Sequence, residues 1–329
     1  MRAIQVHTPG GPDALEVVTL PDPQPAAGQV RVRAQAIGVG RPDVLIRNGT
    51  YKWMPPLPAI PGAELAGVVD AVGEGVTRWR AGDAVLVSAR ELPERGGCYA
   101  EAMVVPEDAP FALPAGLGPE AAVSAPNLQL AQALFLAAGH ADAKSVLITG
   151  AAGGVATMLA QLARHKGLKV LGTVRSEDKR RFALANGFDE VFNSSEGGLP
   201  DRVRAATGGR GVDIAFDPIG AQSLIDCLRC LATLGTAVSY NVVAGPPAED
   251  VFATLRALLG RSLALRCFSM HSFDADRGLR RSLMDSSLQL MAAGHVRAPQ
   301  ATVMPLGQVR DAHRVLDAGG TMGKIVLTP

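Results

Sequence analysis

A short apolar run that ends in a glycine-rich turn and reopens as a helix constrains this chain more than any other feature. Ser145-Val-Leu-Ile-Thr149 reads as a strand and Gly150-Ala-Ala-Gly153-Gly154-Val-Ala156 as the turn. Val155, Met158, Leu159 and Leu162 then recur at the spacing of one helix face. The same alternation runs on through strands at Lys169–Thr173, Asp189–Asn193, Val212–Asp217, Thr236–Tyr240 and Leu263–Cys267. Helices fall between them at Asp178–Asn186, within Leu199–Thr207 and within Gln222–Leu231. Strands that alternate with helices predict a parallel sheet covered on both faces, a doubly wound α/β domain.

The turn itself suggests a ligand. A pyrophosphate needs a tight turn, a close backbone and a helix N-terminus aimed at it. Gly150, Ala152, Gly153, Gly154 and Val155 satisfy the first two, and Ala156 is small enough for the helix to pack on the sheet. The next strand distinguishes the dinucleotide. NAD sites carry an acid at its tip for the ribose 2′-hydroxyl, whereas this chain has Gly172-Thr173-Val174-Arg175-Ser176. Arg175, Ser176 and Lys179 offer two cations and a hydroxyl, with Arg180 as a further cation, and these suit a 2′-phosphate. Together with Thr173, they predict NADPH as the cofactor. Glu177 and Asp178 belong to the following helix start, where acids suit the helix dipole.

The remaining chain is of another kind. Met1–Val6, Gln29–Ile37, Leu65–Val72 and Ala84–Ser88 read as strands, with turns at Gly73–Gly75 and Gly82–Asp83 and an extended connection through Pro21, Pro23 and Pro25. Pro119–Gly139 reads as one helix. The tail holds helices at Leu279–Ala293 and Gln308–Asp317 and a strand at Lys324–Leu327. The β-rich head has too few strands to close a core alone, so the tail is expected to complete it. The expected domains are therefore 1–120 with 268–329, and 121–267.

Composition excludes several classes. With 32 basic and 31 acidic residues, no charge excess points to nucleic acid or an anionic membrane. The start lacks a signal-peptide pattern, and Leu128–Gly139 is too short and too polar at Gln129 and Gln132 to span a bilayer. Four cysteines in 329 residues make no disulfide framework, so a reduced, cytoplasmic protein is expected.

Eight segments, in this order and spacing, resemble the medium-chain dehydrogenase/reductase superfamily, in its zinc-independent quinone oxidoreductase (zeta-crystallin-like) branch. They are Gly38–Asp43, Ile46–Tyr51, Pro61–Gly67, Ala81–Asp83, Gly97–Glu101, Gly150–Ala156, Val238–Asn241 and Gly323–Leu327. The resemblance implies a GroES-like β-barrel catalytic domain made of head and tail, a central Rossmann domain and a cleft between them. It also implies a homodimer paired through the last Rossmann strand, Leu263–Cys267.

Zinc-dependent relatives bring a Cys, a His-Glu pair and a later Cys or Asp to a catalytic metal. The first position here is Gly40 and the His position Ala63, although Glu64 remains. Neither Gly nor Ala donates a lone pair, and a catalytic zinc needs three protein ligands. Cys98 stands alone, Cys227 and Cys230 read as buried small residues of a helix, and the histidines show no ligand spacing. No metal is expected.

Without a metal to polarise a carbonyl, the expected acceptors are already electrophilic: quinones, enones or other activated alkenes. Tyr51 is the expected proton donor, since a phenol of pKa about 10 stays protonated at neutral pH. It matches the tyrosine proposed as the acid in related enoyl-thioester reductases; a tyrosine that only packs the barrel rim is the alternative. Asp43 matches an aspartate near the cleft, or is a turn acid. Arg47 either attracts an anion or is a solvated rim arginine. Asn127 and Gln129 either hydrogen-bond a carboxamide or substrate carbonyl, or cap a helix. By resemblance Tyr240, Asn241 and Gly245 belong to a loop that contacts the cofactor, Lys324 lies near its phosphate, and Asp217 is structural. Two alternatives to a quinone or enone reductase are an enoyl-thioester or other activated-alkene reductase, and a non-catalytic NADPH-binding protein of the crystallin or vesicle type.

Overall fold

The computed structural model describes residues 1–329 and divides into two compact units, Met1–Pro126 with Ala298–Pro329, and Asn127–Arg297. The second unit is thus a continuous insertion in the first. Its end lies at residue 297, not at the expected 267. The helix at Arg277–Ala292 belongs to it because Gln129 and Gln132 donate their side-chain amides to the carbonyls of Arg280 and Leu283, at 2.7 and 2.9 Å.

The first unit contains β1 (Arg2–Gln5), β2 (Glu16–Thr19), β3 (Gln29–Val39), α1 (Arg41–Arg47), β4 (Glu64–Val72), β5 (Ala84–Ser88), β6 (Ala102–Pro106), β7 (Phe111–Ala112) and α2 (Pro119–Ala122). α3 (Ala125–Ala138) then leads into the second unit. Its strands alternate inward and outward: Val30, Val32 and Ala34 of β3 are buried while Arg31 and Arg33 reach Asp70. The expected single helix at Pro119–Gly139 is two helices. Pro126 has no N–H to continue the ladder of the preceding helix, so α3 starts anew with Pro126 in its first turn, where that N–H is not needed. The stretch Pro119–Ala138 has the length and hydropathy of a membrane span, yet 61% of its most apolar window is buried inside the protein.

The second unit runs β8 (Ser145–Ile148), α4 (Gly154–His165), β9 (Lys169–Val174), α5 (Glu177–Ala185), β10 (Glu190–Asn193), α6 (Leu199–Ala206), β11 (Val212–Asp217), α7 (Ala221–Cys230), β12 (Leu231–Ser239), α8 (Val251–Ala257), β13 (Ala264–Cys267) and α9 (Arg277–Ala292). Its six strands are parallel in the order β10-β9-β8-β11-β12-β13, the arrangement of a dinucleotide-binding sheet. β12 begins five residues before the expected Thr236. The ladder with β11 jumps from the Val212–Leu231 pair to the Ile214–Thr236 pair, and Leu234 takes φ +63°, so the apolar period breaks where the strand does not.

The tail adds β14 (Thr302–Pro305), α10 (Val309–Asp317) and β15 (Ile325–Thr328) to the first unit. β15 pairs antiparallel with β3, giving a sheet of order β14-β15-β3-β4-β5-β7 with β6 also on β3. Head and tail share one core, in which Leu306, Val309, Ile325 and Leu327 pack with Ile4, Val30 and Leu65.

Candidate active site

In the second unit, the β8–α4 turn has the shape its glycines permit. Gly150 takes φ +63°, the left-handed region that favours glycine, and a Cβ there would meet Ile219 Cδ1 at 3.3 Å. Ala151 N donates to Thr173 O at 2.9 Å and ties the turn to β9. A Cβ on Gly172 would stand 2.6 Å from the Phe188 ring and 2.8 Å from Ala151 Cβ, so small residues let turn and strand approach. Ala152 is buried, Gly153 is the N-cap of α4 without any capping side chain, and Gly154 and Val155 open the helix. The first-turn amides of α4 therefore present an anion-binding helix start.

At the tip of β9, Thr173 is buried, whereas Arg175 and Ser176 are exposed. Ser176 is the N-cap of α5, accepting from Lys179 N at 3.5 Å, which holds Arg175, Ser176 and Lys179 at one strand-to-helix corner. Arg180 does not join them as the further cation expected. Its Nε donates to Val191 O at 3.1 Å and its NH1 pairs with Glu177 at 3.3 Å, so it covers the open edge of β10.

Asp217 is structural, as read: buried, it accepts from Thr149 Oγ1, Ser223 Oγ and Gly220 N at 2.6, 2.6 and 2.7 Å. Tyr240 N donates to Asp217 O, and burial together with the Asp217 charge pushes the Tyr240 phenol upward. Asn241 is exposed, with its Oδ1 accepting from Val242 N at 2.9 Å. Asn127 is half-buried at the start of α3. Gln129 requires a correction: it is 2% exposed and its amide is committed to Arg280 O, so it neither caps a helix nor meets a ligand through that nitrogen.

In the first unit, α1 carries two of the residues in question on one face. Asp43 is fully buried and is not a free cleft acid. Its Oδ2 accepts from Gly40 N at 2.8 Å and from Tyr99 OH at 3.1 Å, and its Oδ1 from Gly62 N at 3.2 Å. Burial and the Glu64 carboxylate push its pKa up to about 7, against the hydrogen bond from Gly40, the Lys324 charge and Tyr99. Arg47 is 2% exposed, so it is neither a solvated rim residue nor a bait for anions. It pairs with Asp317 at 2.9 Å, donates to Gly10 O at 3.2 Å and faces His313 Nδ1 at 3.2 Å. Tyr51 follows α1, with the amides of Thr50 and Tyr51 both bonded to Leu45 O. Its half-buried ring lies 5.7 Å from that of Trp53, over which Lys52 Nζ sits at 5.2 Å.

Lys324 also departs from its expected role. It is buried in an ion pair with Glu64, and a Cβ on Gly38 would strike both side chains, at 2.4 and 2.8 Å. Its ammonium is thus committed to a carboxylate inside the unit and not to a cofactor phosphate. No three His, Cys, Asp or Glu side chains converge on a point that would hold a metal ion. Cys227 and Cys230 are buried in α7.

Sequence reasoning missed Tyr99 and His313, both fully buried and joined at 3.0 Å. The one available signal is the Asp43–Arg47 pair: two charges four apart on a short helix share a face, and together they require polar partners if that face is buried.

Comparison with known proteins supplies the context. Residues 26–115 match the alcohol dehydrogenase GroES-like domain family, and residues 154–285 the zinc-binding dehydrogenase family. The chain is 32% identical to a quinone oxidoreductase of Rattus norvegicus, over 99% of this chain and 97% of that one. It is likewise 32% identical to a quinone oxidoreductase of Salmonella typhimurium, over 99% of both chains. The crystal structure of Escherichia coli quinone oxidoreductase complexed with NADPH superposes with a TM-score of 0.85 at 29% identity, covering 100% of each chain.

Proposed function

The chain belongs to the quinone oxidoreductase branch of the medium-chain dehydrogenase/reductase superfamily, and from that premise we propose that it is a zinc-independent, NADPH-dependent reductase of quinones, enones and similar electron-poor small molecules. The observation that carries this reading is the uncapped glycine turn of α4 beside a β9 tip with two cations and no acid. The turn and the first-turn amides of α4 receive the pyrophosphate, and Arg175, Ser176 and Lys179 receive the 2′-phosphate. When bound, NADPH supplies the hydride.

The chain's own residues then supply position and a proton. Tyr51 holds a proton on its phenol oxygen and releases it to the substrate oxygen or carbon that gains negative charge. Gly40 and Ala63 stand where metal-dependent relatives place ligands, which supports activation by substrate electrophilicity and not by a Lewis acid. The four free cysteines fit a reducing, cytoplasmic setting.

An NADPH-oxidation assay over quinones, enones and enoyl thioesters tests the proposal. The wild type is expected to turn over the first two classes. Tyr51→Phe is expected to lower kcat about 10²-fold, as loss of a general acid does. Arg175→Ala and Lys179→Ala are each expected to raise the Kd for NADPH at least about tenfold, as loss of a charged hydrogen bond does, and to leave NADH binding unmoved. Turnover confined to enoyl thioesters, or none with any acceptor, overturns the substrate assignment. Unchanged NADPH affinity in both charge variants overturns the cofactor site.

A further inference from the structure

We propose that His313 is a positioning residue for the reduction: with Tyr99 it staples α1, and the Tyr51 that hangs from it, through a hydrogen-bond chain that runs in one direction. The inference rests on Tyr51 being the proton donor.

The direction follows from which groups can donate. A guanidinium has donors only. Arg47 NH1 lies 3.2 Å from His313 Nδ1, so that nitrogen carries the lone pair. The remaining proton of a neutral ring is then on Nε2, which faces Tyr99 OH at 3.0 Å. Tyr99 accepts from His313 and gives its own proton to Asp43 Oδ2 at 3.1 Å. Asp43 ends the chain as an acceptor, and it also takes the amides of Gly40 and Gly62. Asp317 holds the other end by pairing with Arg47 at 2.9 Å.

Reversal is blocked at one point. If His313 carried its proton on Nδ1, that N–H would face the guanidinium, donor against donor, in a site where His313, Tyr99 and Asp43 are all fully buried. The geometry therefore admits one polarity. Burial and the Arg47 charge push the His313 pKa down to about 4, in keeping with a neutral ring.

The two ends of the chain sit on α1. Asp43 and Arg47 are separated by one helical turn and share a face, so the staple grips the helix near both of its ends. The residues that follow are suspended from it, since Leu45 O accepts from the amides of Thr50 and Tyr51 at 2.9 and 3.1 Å. Loosening the staple displaces the Tyr51 phenol without touching the nucleotide turn. An acid about 1 Å out of place costs on the order of 10²-fold in rate.

The test combines a spectroscopic and a kinetic readout on the full-length protein. The ¹⁵N shifts of His313, assigned by comparison with His313→Gln, are expected to report the neutral ring with its proton on Nε2 from pH 8 to pH 5. A proton on Nδ1, or titration near pH 6.5, overturns the chain. Tyr99→Phe keeps the ring, packed edge-on against His313 at 5.8 Å, and removes only the hydroxyl link. It is expected to lower kcat about tenfold or more with NADPH Kd unchanged, and to add nothing in a Tyr51→Phe background. His313→Gln, which can still accept from Arg47 and donate to Tyr99, is expected to retain more activity than His313→Leu. Full kcat in Tyr99→Phe, or losses that add in the double variant, overturns the positioning role. If Tyr51→Phe alone is fully active, the proton-donor reading fails, while the ¹⁵N result still decides the chain.

Discussion

A histidine kept neutral in the interior ties folding to pH, and the sign follows from its direction of shift. His313 titrates at about 4 when folded, against about 6.5 in an unfolded chain. Between those values the unfolded state binds more protons, so stability rises with pH through this window. The contribution is fully present above pH 6.5 and is lost as pH falls toward 4; it amounts to about 3 kcal/mol. Asp43, raised to about 7, contributes with the opposite sign over the same window, so the difference carries the test: the gap in urea midpoint between wild type and His313→Gln is expected to narrow as pH falls from 7 to 4. The same residue marks the limit of what sequence can disclose. Asp43, Tyr99 and His313 are far apart along the chain, and no periodicity couples them; only the folded sheet brings the three together. The glycine turn, by contrast, was legible because all its parts are contiguous. Lys324 and Gln129 misled for the opposite reason: each is a residue type suited to ligands, and its partner, Glu64 or the Arg280 carbonyl, is distant in sequence.

Among the elements, α9 depends on polar anchors as well as apolar packing. Gln129 and Gln132 of α3 reach its main-chain carbonyls, and Gln132 also bonds Ser287 Oγ at 2.7 Å. Gln129→Ala leaves a buried carbonyl without this donor and is expected to cost about 1–3 kcal/mol by thermal or urea denaturation. If Gln129 only anchors α9, the KM for acceptor stays at the wild-type value in the folded variant; a raised KM would return it to the substrate site. Strand positions were readable from alternation in β3 and from short apolar runs in β5 and β8. The break between α2 and α3 was marked by Pro126, yet apolar composition on both sides hid it. The start of β12 was hidden by Leu234 and Gly235, whose turn-like character masks a strand that continues through an irregular register.

For the whole molecule, β13 ends the parallel sheet with an open edge, and Ala264, Arg266 and Cys267 on it are exposed. Val242, Val243, Leu259 and Phe252 are exposed in the same unit, Phe252 by 70%. An uncovered strand edge is a template for pairing, and we propose that a second copy covers it, giving a two-fold dimer. Light scattering is expected to return twice the chain mass. Phe252→Glu combined with Leu265→Lys is expected to return the monomer mass, with the NADPH site intact. A wild-type monomer at micromolar concentration would remove this assembly from consideration.

The insertion of residues 127–297 between the two parts of the other unit has a bearing on biosynthesis. A chain leaving the ribosome N-terminus first exposes every strand of the nucleotide-binding sheet before β14 and β15 exist. β3 emerges early, but its β15 flank stays open until the whole inserted segment and β14 have been translated, and an open flank is where mispairing begins. Truncation just before β14 should therefore yield nascent chains whose inserted segment is compact while the surrounding sheet lacks β14 and β15 and recruits chaperones.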